Sequence, residues 1–190
     1  MSFDPQPYLA DRYLIVRPLQ EEDWQSLFCA AADPLVWEHH PAHDRWQEEV
    51  FRRYFEEALA CGTTVAAVDR QLGTAIGMSR FDRTSAAPGE VEIGWTFLAR
   101  AYWGGETNRA LKRLMIGHAL QSFDRVIFRI GEDNLRSRRA IEKIGAQLTD
   151  RTDMAEVGGR TVRHLVYAMD ADAFAAGPLS HGRSGPEGEG

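Results

Sequence analysis

The sequence predicts a single α/β domain built on one mixed sheet with helices on both faces, in the order β-α-α-β-β-β-α-β-α-β-β. Apolar residues alternate as in strands, or recur at helical spacing, in segments separated by Gly and Pro. The chain has 190 residues, of which 44% are hydrophobic and 10% aromatic, so it can bury one continuous core. A mostly apolar run at residues 126–130 indicates a strand that is covered on both faces, which is typical of parallel pairing.

The first half of the chain carries short strands and two amphipathic helices. Strands are predicted at residues 13–17, 63–68 and 75–81. Pro18 ends the first strand because proline cannot donate to a ladder. One helix runs from about Glu21 to Pro34, and Gly62 ends a second. The apolar stripe of this second helix is Val50, Phe51, Tyr54, Phe55, Ala58 and Leu59.

The second half alternates strands and helices. Strands are predicted at residues 90–98, 126–130, 148–157 and 160–169, the last two flanking a Gly158-Gly159 turn. In the first of these, one face is predicted to carry Val91, Ile93, Trp95 and Phe97, and the other Glu92, Gly94 and Thr96. One helix has the apolar stripe Leu111, Leu114, Met115, His118 and Ala119, which makes His118 a core histidine. The next helix runs from Asn134 to about Ile144, and Gly145 caps it.

Composition sets the domain boundaries and excludes several classes of function. Residues 1–10 are predicted to form an N-terminal arm, residues 11–174 a single domain and residues 175–190 a disordered tail. The net charge of -6 argues against bulk binding to nucleic acid or to anionic membranes. We expect a cytoplasmic protein, since neither a signal peptide nor a bilayer-spanning run is recognised. Cys29 and Cys61 are expected to be unpaired buried thiols, although one disulfide stays open.

The segment with most chemical information runs from Arg100 to Lys112 and reads Arg-Ala-Tyr-Trp-Gly-Gly-Glu-Thr-Asn-Arg-Ala-Leu-Lys. It joins a predicted strand to a predicted helix, and Gly104 and Gly105 fall where that helix begins. A helix N-terminus offers unpaired N–H groups and a partial positive charge, so the segment is a candidate cradle for a diphosphate. It matches neither a Walker A loop nor a GxGxxG fingerprint. An ordinary flexible turn is the alternative.

Together with the element order, three segments resemble the GNAT superfamily of N-acetyltransferases, most closely the RimJ/RimL branch of ribosomal-protein N-terminal acetyltransferases. They are Tyr102-Trp103-Gly104, Lys112-Arg113-Leu114-Met115 and Glu132-Asp133-Asn134-Leu135-Arg136-Ser137. The resemblance covers about residues 12–170. It implies the GNAT acyl-CoA N-acyltransferase fold, acetyl-CoA as co-substrate, an amine acceptor and no metal.

The resemblance also implies where acetyl-CoA lies. The strand at residues 90–98 is expected to splay from the next parallel strand, and the pantetheine arm enters the gap. The implied contacts are the backbone of Phe97 and Leu98, the N–H groups of Trp103, Gly104, Gly105, Glu106, Thr107 and Asn108, and the side chains of Arg109, Asn134, Ser137 and Arg138. Glu106 stands where the family usually has glycine or alanine. Its carboxylate is unfavourable beside a diphosphate unless it turns to solvent, and Arg109 can compensate for it.

Acetyl transfer needs a base for the amine and a proton for the leaving thiolate. Glu92 is the preferred base, Glu90 on the same face is the fallback, and a solvated or salt-bridged glutamate is the alternative. Many relatives protonate the thiolate with a tyrosine at the place of Ile141. Ser137, one helical turn earlier on the same side, is the candidate donor here, as in the resembling branch. A local hydrogen bond within the helix is the alternative role for this serine.

The stretch Trp37-Glu38-His39-His40-Pro41-Ala42-His43-Asp44 suggests a metal site at first sight. Pro41 lies between His39 and His43 and would break the helical turn that such a site requires, so no metal is expected. In the resembling fold this linker borders the acceptor cleft, which makes Trp37, Glu38 and His40 candidate substrate contacts. A plain surface loop with Trp37 in the core is the alternative.

The sequence therefore predicts an N-acetyltransferase that moves acetyl directly from acetyl-CoA to a primary amine. A protein N-terminus as acceptor follows from the branch that the sequence resembles, and a small-molecule amine fits the same fold. A CoA-binding sensor without turnover is the rival from another class. No nucleic-acid or membrane partner is expected, and the resemblance allows a homodimer.

Overall fold

The computed structural model describes residues 3–157 and 159–180, which form one eight-stranded sheet flanked by helices. The strands are β1 (Leu9–Ala10), β2 (Leu14–Pro18), β3 (Thr64–Asp69), β4 (Ala75–Asp82), β5 (Glu90–Leu98), β6 (Arg125–Gly131), β7 (Gln147–Val157) and β8 (Arg160–Asp170). The helices are α1 (Trp24–Ala31), α2 (Glu48–Ala60), α3 (Glu106–Ala119), α4 (Leu135–Lys143) and α5 (Ala171–Ala176). None of the helices in the described residues is long and apolar enough to span a bilayer.

The sheet is mixed, as the sequence predicts. Its strand order is β1-β2-β3-β4-β5-β6-β8-β7, and neighbouring strands are antiparallel except for β5 and β6, which are parallel. Two large apolar clusters lie on the two faces of the sheet. Helices α3 and α4 contribute to one of them, and α1 and α2 to the other.

The parallel pair β5–β6 separates soon after it begins. Glu90, Val91 and Glu92 face Arg125, Val126 and Ile127, and the pairing stops there. Beyond that point β5 continues to pair with β4, and β6 with β8. The gap between the two strands is the splay that the sequence predicts, and it opens towards the helix N-termini of α3 and α4.

A bulge in β5 corrects the predicted alternation. Arg80 of β4 faces Gly94, whereas Met78 faces Phe97, so β5 uses one residue more than β4 across the same interval. Trp95 adopts the left-handed region with φ 51°. An extra residue reverses the faces that follow it. Phe97 therefore packs in the cluster of α1 and α2, opposite to its predicted face, and Leu98 takes its place beside Val91 and Ile93.

Both ends of the described chain pack against the domain, which corrects the predicted arm and tail. The ring of Phe3 lies edge-on to those of Phe81 and Phe123, and β1 pairs with β2. At the other end, α5 follows β8, and Leu179 is 1% exposed. The packed chain thus includes most of the predicted arm and reaches past residue 174. The rest of the predicted tail, residues 181–190, lies outside the described residues.

Two further predictions are wrong in detail. Cys29 and Cys61 are free, but both are exposed rather than buried. His118 is half-buried instead of lying in the core, and its Nε2 is 2.7 Å from the carbonyl oxygen of Asp4. Lys112, which is outside the predicted apolar stripe of α3, is buried beside Leu111.

Candidate active site

A cleft of about 510 Å³ opens where β5 and β6 separate. Its walls come from β5, β6, α3, α4, the segment before α2 and the β7–β8 pair. The cleft thus joins the helix N-termini on one side of the sheet to the segment at Trp37 on the other.

Glu92 is the carboxylate at the point of separation. It is 5% exposed and lines the cleft, and its Oε2 accepts a hydrogen bond of 2.5 Å from Nη1 of Arg129 on β6. Burial raises the pKa of Glu92 to about 7, although the Arg129 guanidinium opposes the shift. The same guanidinium holds Asp153 of β7 at 2.6 Å through its Nε. A carboxylate with this pKa exchanges its proton near neutral pH, which is the property that a general base requires.

Glu90, the fallback base, lies two residues earlier and does not line the cleft. Nη1 of Arg151 donates to both of its carboxylate oxygens, at 2.8 and 2.9 Å, and Arg125 lies 3.8 Å away. The partnership with Arg151 and Arg125 holds the pKa of Glu90 below its ordinary value against the opposing effect of burial. Glu90 is therefore a salt-bridged glutamate outside the cleft, whereas Glu92, although it is also paired with an arginine, lines the cleft and stays the preferred candidate for the base.

The glycine pair lies at the N-terminus of α3, as the loop chemistry requires. Gly104 has φ +68°, and a Cβ placed on either Gly104 or Gly105 would meet nothing within 4 Å. Gly105 is the N-cap residue and provides no side-chain cap, so no capping side chain engages the N–H groups of the first turn. Thr107 and Asn108 belong to that turn, and Asn108 lines the cleft. This open, uncapped N-terminus of a 14-residue helix fits a diphosphate.

Glu106 is the first residue of α3, and its side chain is 42% exposed. Its Oε2 lies 3.9 Å from Nε of Arg109, whose Nη2 also donates to the carbonyl oxygen of Pro178 at 2.6 Å. A carboxylate in the first turn is favourable for the helix dipole, and here Arg109 partly neutralises it. The indole of Trp103 donates to the carbonyl oxygen of Leu98 at 2.9 Å, so one acceptor on the predicted pantetheine strand already has a partner.

Helix α4 brings two of its three predicted residues to the cleft. Asn134 caps the helix by accepting a hydrogen bond of 3.1 Å from the N–H of Ser137, and both residues line the cleft. Ile141 lines it too, so Ser137 and Ile141 share one side of the helix. Arg138 does not line the cleft. Its guanidinium donates to the hydroxyl of Tyr167 and to the carbonyl oxygen of Glu132.

The segment before α2 supplies two of the three predicted acceptor contacts. Trp37 is 2% exposed, donates to the carbonyl oxygen of Ala31 and still presents its ring to the cleft. His40 lines the cleft, and burial lowers its pKa to about 3. Its Nδ1 accepts from the N–H of Ala42, and Nη1 of Arg45 lies 3.5 Å from its Nε2. Glu38 is exposed and does not line the cleft.

Four cleft residues were missed at the level of sequence. Arg129 orients Glu92, and Arg45 lies 3.8 Å above the ring centre of Tyr54. Lys112 is buried on α3, and burial lowers its pKa to about 7. Only Lys112 gave a signal, because a lysine stands between apolar residues on a helix that must cover the sheet. Arg129, Arg45 and Tyr54 gave none, since their roles depend on neighbours that are distant in sequence.

Residues 13–147 match a family model described as an acetyltransferase (GNAT) domain. No curated protein matches the chain at a significant level. Among solved structures, a protein from Chromobacterium violaceum ATCC 12472, described as a GNAT-family acetyltransferase, is similar with a TM-score of 0.80 and 20% identity over 92% of this chain and 91% of that chain.

Two similar structures carry ligands of interest. RimJ of Mycobacterium smegmatis, in complex with CoA-disulfide, has a TM-score of 0.64 and 16% identity over 88% of this chain and 86% of that chain. The microcin C7 self-immunity acetyltransferase MccE, in complex with acetyl-CoA and AMP, has a TM-score of 0.69 and 12% identity over 84% and 93%. At these identities the likeness to solved structures shows the fold alone.

Proposed function

The chain belongs to the GNAT family of acetyltransferases and is an acetyl-CoA-dependent N-acetyltransferase, and from this we propose that its acceptor is the α-amino group of a protein N-terminus. Glu92 carries the proposal. An α-amino group has a pKa of about 7.7–8.0, whereas a lysine side chain has about 10.4. Near pH 7 an α-amine is therefore partly neutral and able to attack, whereas a lysine or polyamine amine is almost fully protonated, and the buried Glu92 carboxylate in the cleft can take the proton that the attacking α-amine loses. The sequence resemblance to the RimJ/RimL branch supports the same acceptor.

The residues around the splay would hold acetyl-CoA in this proposal. The N–H groups from Trp103 to Asn108 would receive the pyrophosphate at the α3 N-terminus. The backbone of β5 after the bulge and the side chain of Asn134 would contact the pantetheine arm. Arg138, whose guanidinium is engaged by Tyr167 and Glu132, is left out of the proposed contacts.

In the proposed reaction the acceptor enters as the neutral amine, and its nitrogen attacks the thioester carbonyl carbon. As the C–N bond forms, the nitrogen loses one proton to Glu92, whose carboxylate is held by Arg129, and the C–S bond breaks. Ser137, on the cleft side of α4, would donate a hydrogen bond to the sulfur as charge develops on it.

A small-molecule acceptor is the second candidate, and Arg45 is the observation that favours it. Its guanidinium carbon lies 3.8 Å from the ring centre of Tyr54 and 5.5 Å from that of Trp37. No carboxylate among the described residues pairs with it, so it could bind the carboxylate of an amino-acid-like amine. The similar MccE structure is described as a microcin C7 self-immunity acetyltransferase in complex with acetyl-CoA and AMP.

The experiment is a thiol-release assay with acetyl-CoA and a matched set of amines. The set comprises peptides with free N-termini, the same peptides N-terminally blocked but carrying a lysine, free amino acids and a polyamine. The proposal expects turnover only with free α-amino groups of peptides. Turnover with free amino acids alone would favour the second candidate, and acetyl-CoA binding without any thiol release would favour the sensor.

The cellular setting belongs to the same proposal. Nascent and newly made proteins expose their N-termini in the cytoplasm, and the two free thiols of the chain are compatible with that compartment. Immunodetection of the protein in fractionated cells, together with N-terminal acetylation profiling of a deletion strain, tests this part. Loss of acetylation at a defined set of N-termini is the expected result.

A further inference from the structure

The reaction needs a proton for the departing sulfur, and no residue at the usual tyrosine place can give it. Ile141 occupies that place on α4 and is apolar. Ser137 can donate a hydrogen bond, but an alcohol is a far weaker acid than a thiol, so proton transfer from it to a thiolate is uphill. Either water protonates the thiolate, or the cleft contains another proton donor.

Lys112 lies on the opposite wall of the cleft from α4. It is located two turns after the uncapped N-terminus of α3, and its side chain is directed into the space where β5 leaves β6. Its Nζ donates to Oγ1 of Thr96 at 2.9 Å, directly after the bulge at Trp95, and lies 5.5 Å from the ring centre of Phe128 on β6. The ammonium therefore stands in the gap through which the pantetheine arm would pass.

The surroundings of Lys112 leave its charge uncompensated. The residue is 5% exposed, and among the described residues no carboxylate forms an ion pair with it. Its one hydrogen-bond partner among the described residues is the Thr96 hydroxyl, whose oxygen lies 2.7 Å from Oγ of Ser79. A buried ammonium without a counter-ion is costly, and a nearby negative charge relieves that cost. The site thus favours binding of an anion beside Lys112, or transfer of the Lys112 proton to that anion.

Other charged groups in the cleft do not cause this state. Helix α4 contributes no titratable group to the lining. The other elements around the cleft contribute eight titratable groups, which are Glu92, Arg129, His40, Arg45, Tyr54, Asp153, Glu156 and His164. Burial alone lowers the pKa of Lys112 to about 7. Because an ordinary thiol has a pKa of about 8.5, transfer of a proton from this ammonium to a thiolate is favourable.

We propose that Lys112 is the acid of the reaction and delivers the proton from Nζ to the sulfur of CoA as the C–S bond breaks. This rests on the proposed function. The amine loses its proton to Glu92, the C–N bond forms, and the electron pair of the C–S bond goes to sulfur, which takes the Lys112 proton. The products are the N-acetylated amine and the CoA thiol. Glu92 then returns its proton through water to Lys112, so the enzyme ends as it began.

The composition of the chain makes the proposal directly measurable. Lys112 and Lys143 are its two lysines, and Lys143 is exposed at the end of α4. In protein labelled with ¹³C-lysine, the two side chains give separate NMR signals whose titration reports each pKa. Lys143 should titrate near the ordinary value of about 10.4, and Lys112 several units lower. CoA should move the Lys112 titration upwards, since its thiolate can pair with the ammonium, whereas S-methyl-CoA should not.

Kinetics supply the second readout. We expect Lys112→Met and Lys112→Arg to lower kcat by about 10²-fold with unchanged affinity for acetyl-CoA, since neither side chain can give up a proton near neutral pH. The wild-type rate should decline as the pH rises above the Lys112 pKa, and this decline should vanish in both variants. Lys143→Met is the matched control and should behave as wild type.

Three results would overturn the proposal. An unchanged rate and pH profile in Lys112→Met would show that the lysine has only a structural role. Recovery of the rate in Lys112→Arg would show that a fixed charge suffices. A Lys112 signal that responds equally to CoA and S-methyl-CoA would show that the sulfur is not its partner. If CoA itself does not bind, as calorimetry would show, the proposed function has failed rather than this inference.

Discussion

The segment of β5 that pairs with β6 carries a buried carboxylate at each of its ends, and the structure treats the two differently. At the first pair of this segment, Glu90 is fully engaged by Arg151 and Arg125, and its pKa is below the ordinary value. At the edge of the splay, Glu92 has a single guanidinium partner in the cleft, and burial raises its pKa to about 7. Residue type and strand are the same, so the difference arises from the surroundings.

The comparison shows how the fold separates structural charges from reactive ones. Where the strands pair, neighbouring side chains can supply enough opposite charge to fix a carboxylate in its ionised form. Where they separate, the sheet leaves a cleft, and a group that lines it has fewer charged partners, as Glu92 has one guanidinium where Glu90 has two. Burial without full compensation brings a pKa towards neutrality, and this is the property that acid–base chemistry uses.

Replacing each carboxylate by an amide is the most direct test of the different roles of Glu90 and Glu92. We expect Glu92→Gln to lower kcat by about 10²- to 10⁴-fold, because the amide cannot accept the proton of the amine. Its free energy of unfolding should change little, since Arg129 keeps Asp153 as a partner and the cost of burying the Glu92 charge disappears. Thiol release and chemical denaturation measure the two effects. A Glu92→Gln enzyme with the wild-type rate would remove Glu92 from the mechanism.

The pH dependence of the wild-type enzyme sharpens the same contrast. Only ionised Glu92 can act as a base, so kcat should fall as the pH drops below about 7, approaching about tenfold per pH unit. The residual rate of Glu92→Gln should lack this limb. Measurements in buffers of constant ionic strength between pH 5 and 8 test it, and an acidic limb that persists in the amide variant would assign the titration to another group.

The reverse outcome is expected for Glu90→Gln. Loss of the charged pair with Arg151 should lower the free energy of unfolding by about 1–2 kcal/mol at pH 7, with activity retained. The pKa of Glu90 is lowered in the folded protein, so its contribution is present above the unfolded value. The difference between wild type and variant should therefore shrink as the pH falls through the folded pKa. Urea titrations at several pH values measure it, and a large loss of kcat without a loss of stability would contradict the structural role.

The smallest effect is expected on the other wall of the cleft. Ser137→Ala removes one hydrogen-bond donor from the cleft side of α4 but keeps the N–H that Asn134 caps. We expect kcat to fall by about two- to tenfold, the value of a single hydrogen bond, with stability unchanged. Ser122→Ala, at a loop serine outside the cleft lining, is the matched control. A loss comparable to that of Glu92→Gln would make Ser137 a principal acid and would weaken the case for Lys112.

Most elements of the fold could be predicted from the sequence, because their signals are local. The stripe on α2, the cap at Asn134 and the glycine that follows α4 each act within a few residues, and the observed bounds of these helices lie close to the predicted ones. The diphosphate loop before α3 could be predicted for the same reason, since an uncapped helix N-terminus after two glycines is a property of the local chain. The resemblance to a family then supplied the cleft and its co-substrate.

The tertiary structure alone decided which groups became reactive. The bulge at Trp95 is set by the register between β4 and β5, and it moves Phe97 to the other face, which alternation along one strand cannot reveal. The partners of Glu90 and Glu92 come from strands 35 or more residues away. Lys112 lines the cleft because β5 and β6 separate beside it. Period and propensity act over a few residues, whereas burial and charge compensation depend on which distant segments meet.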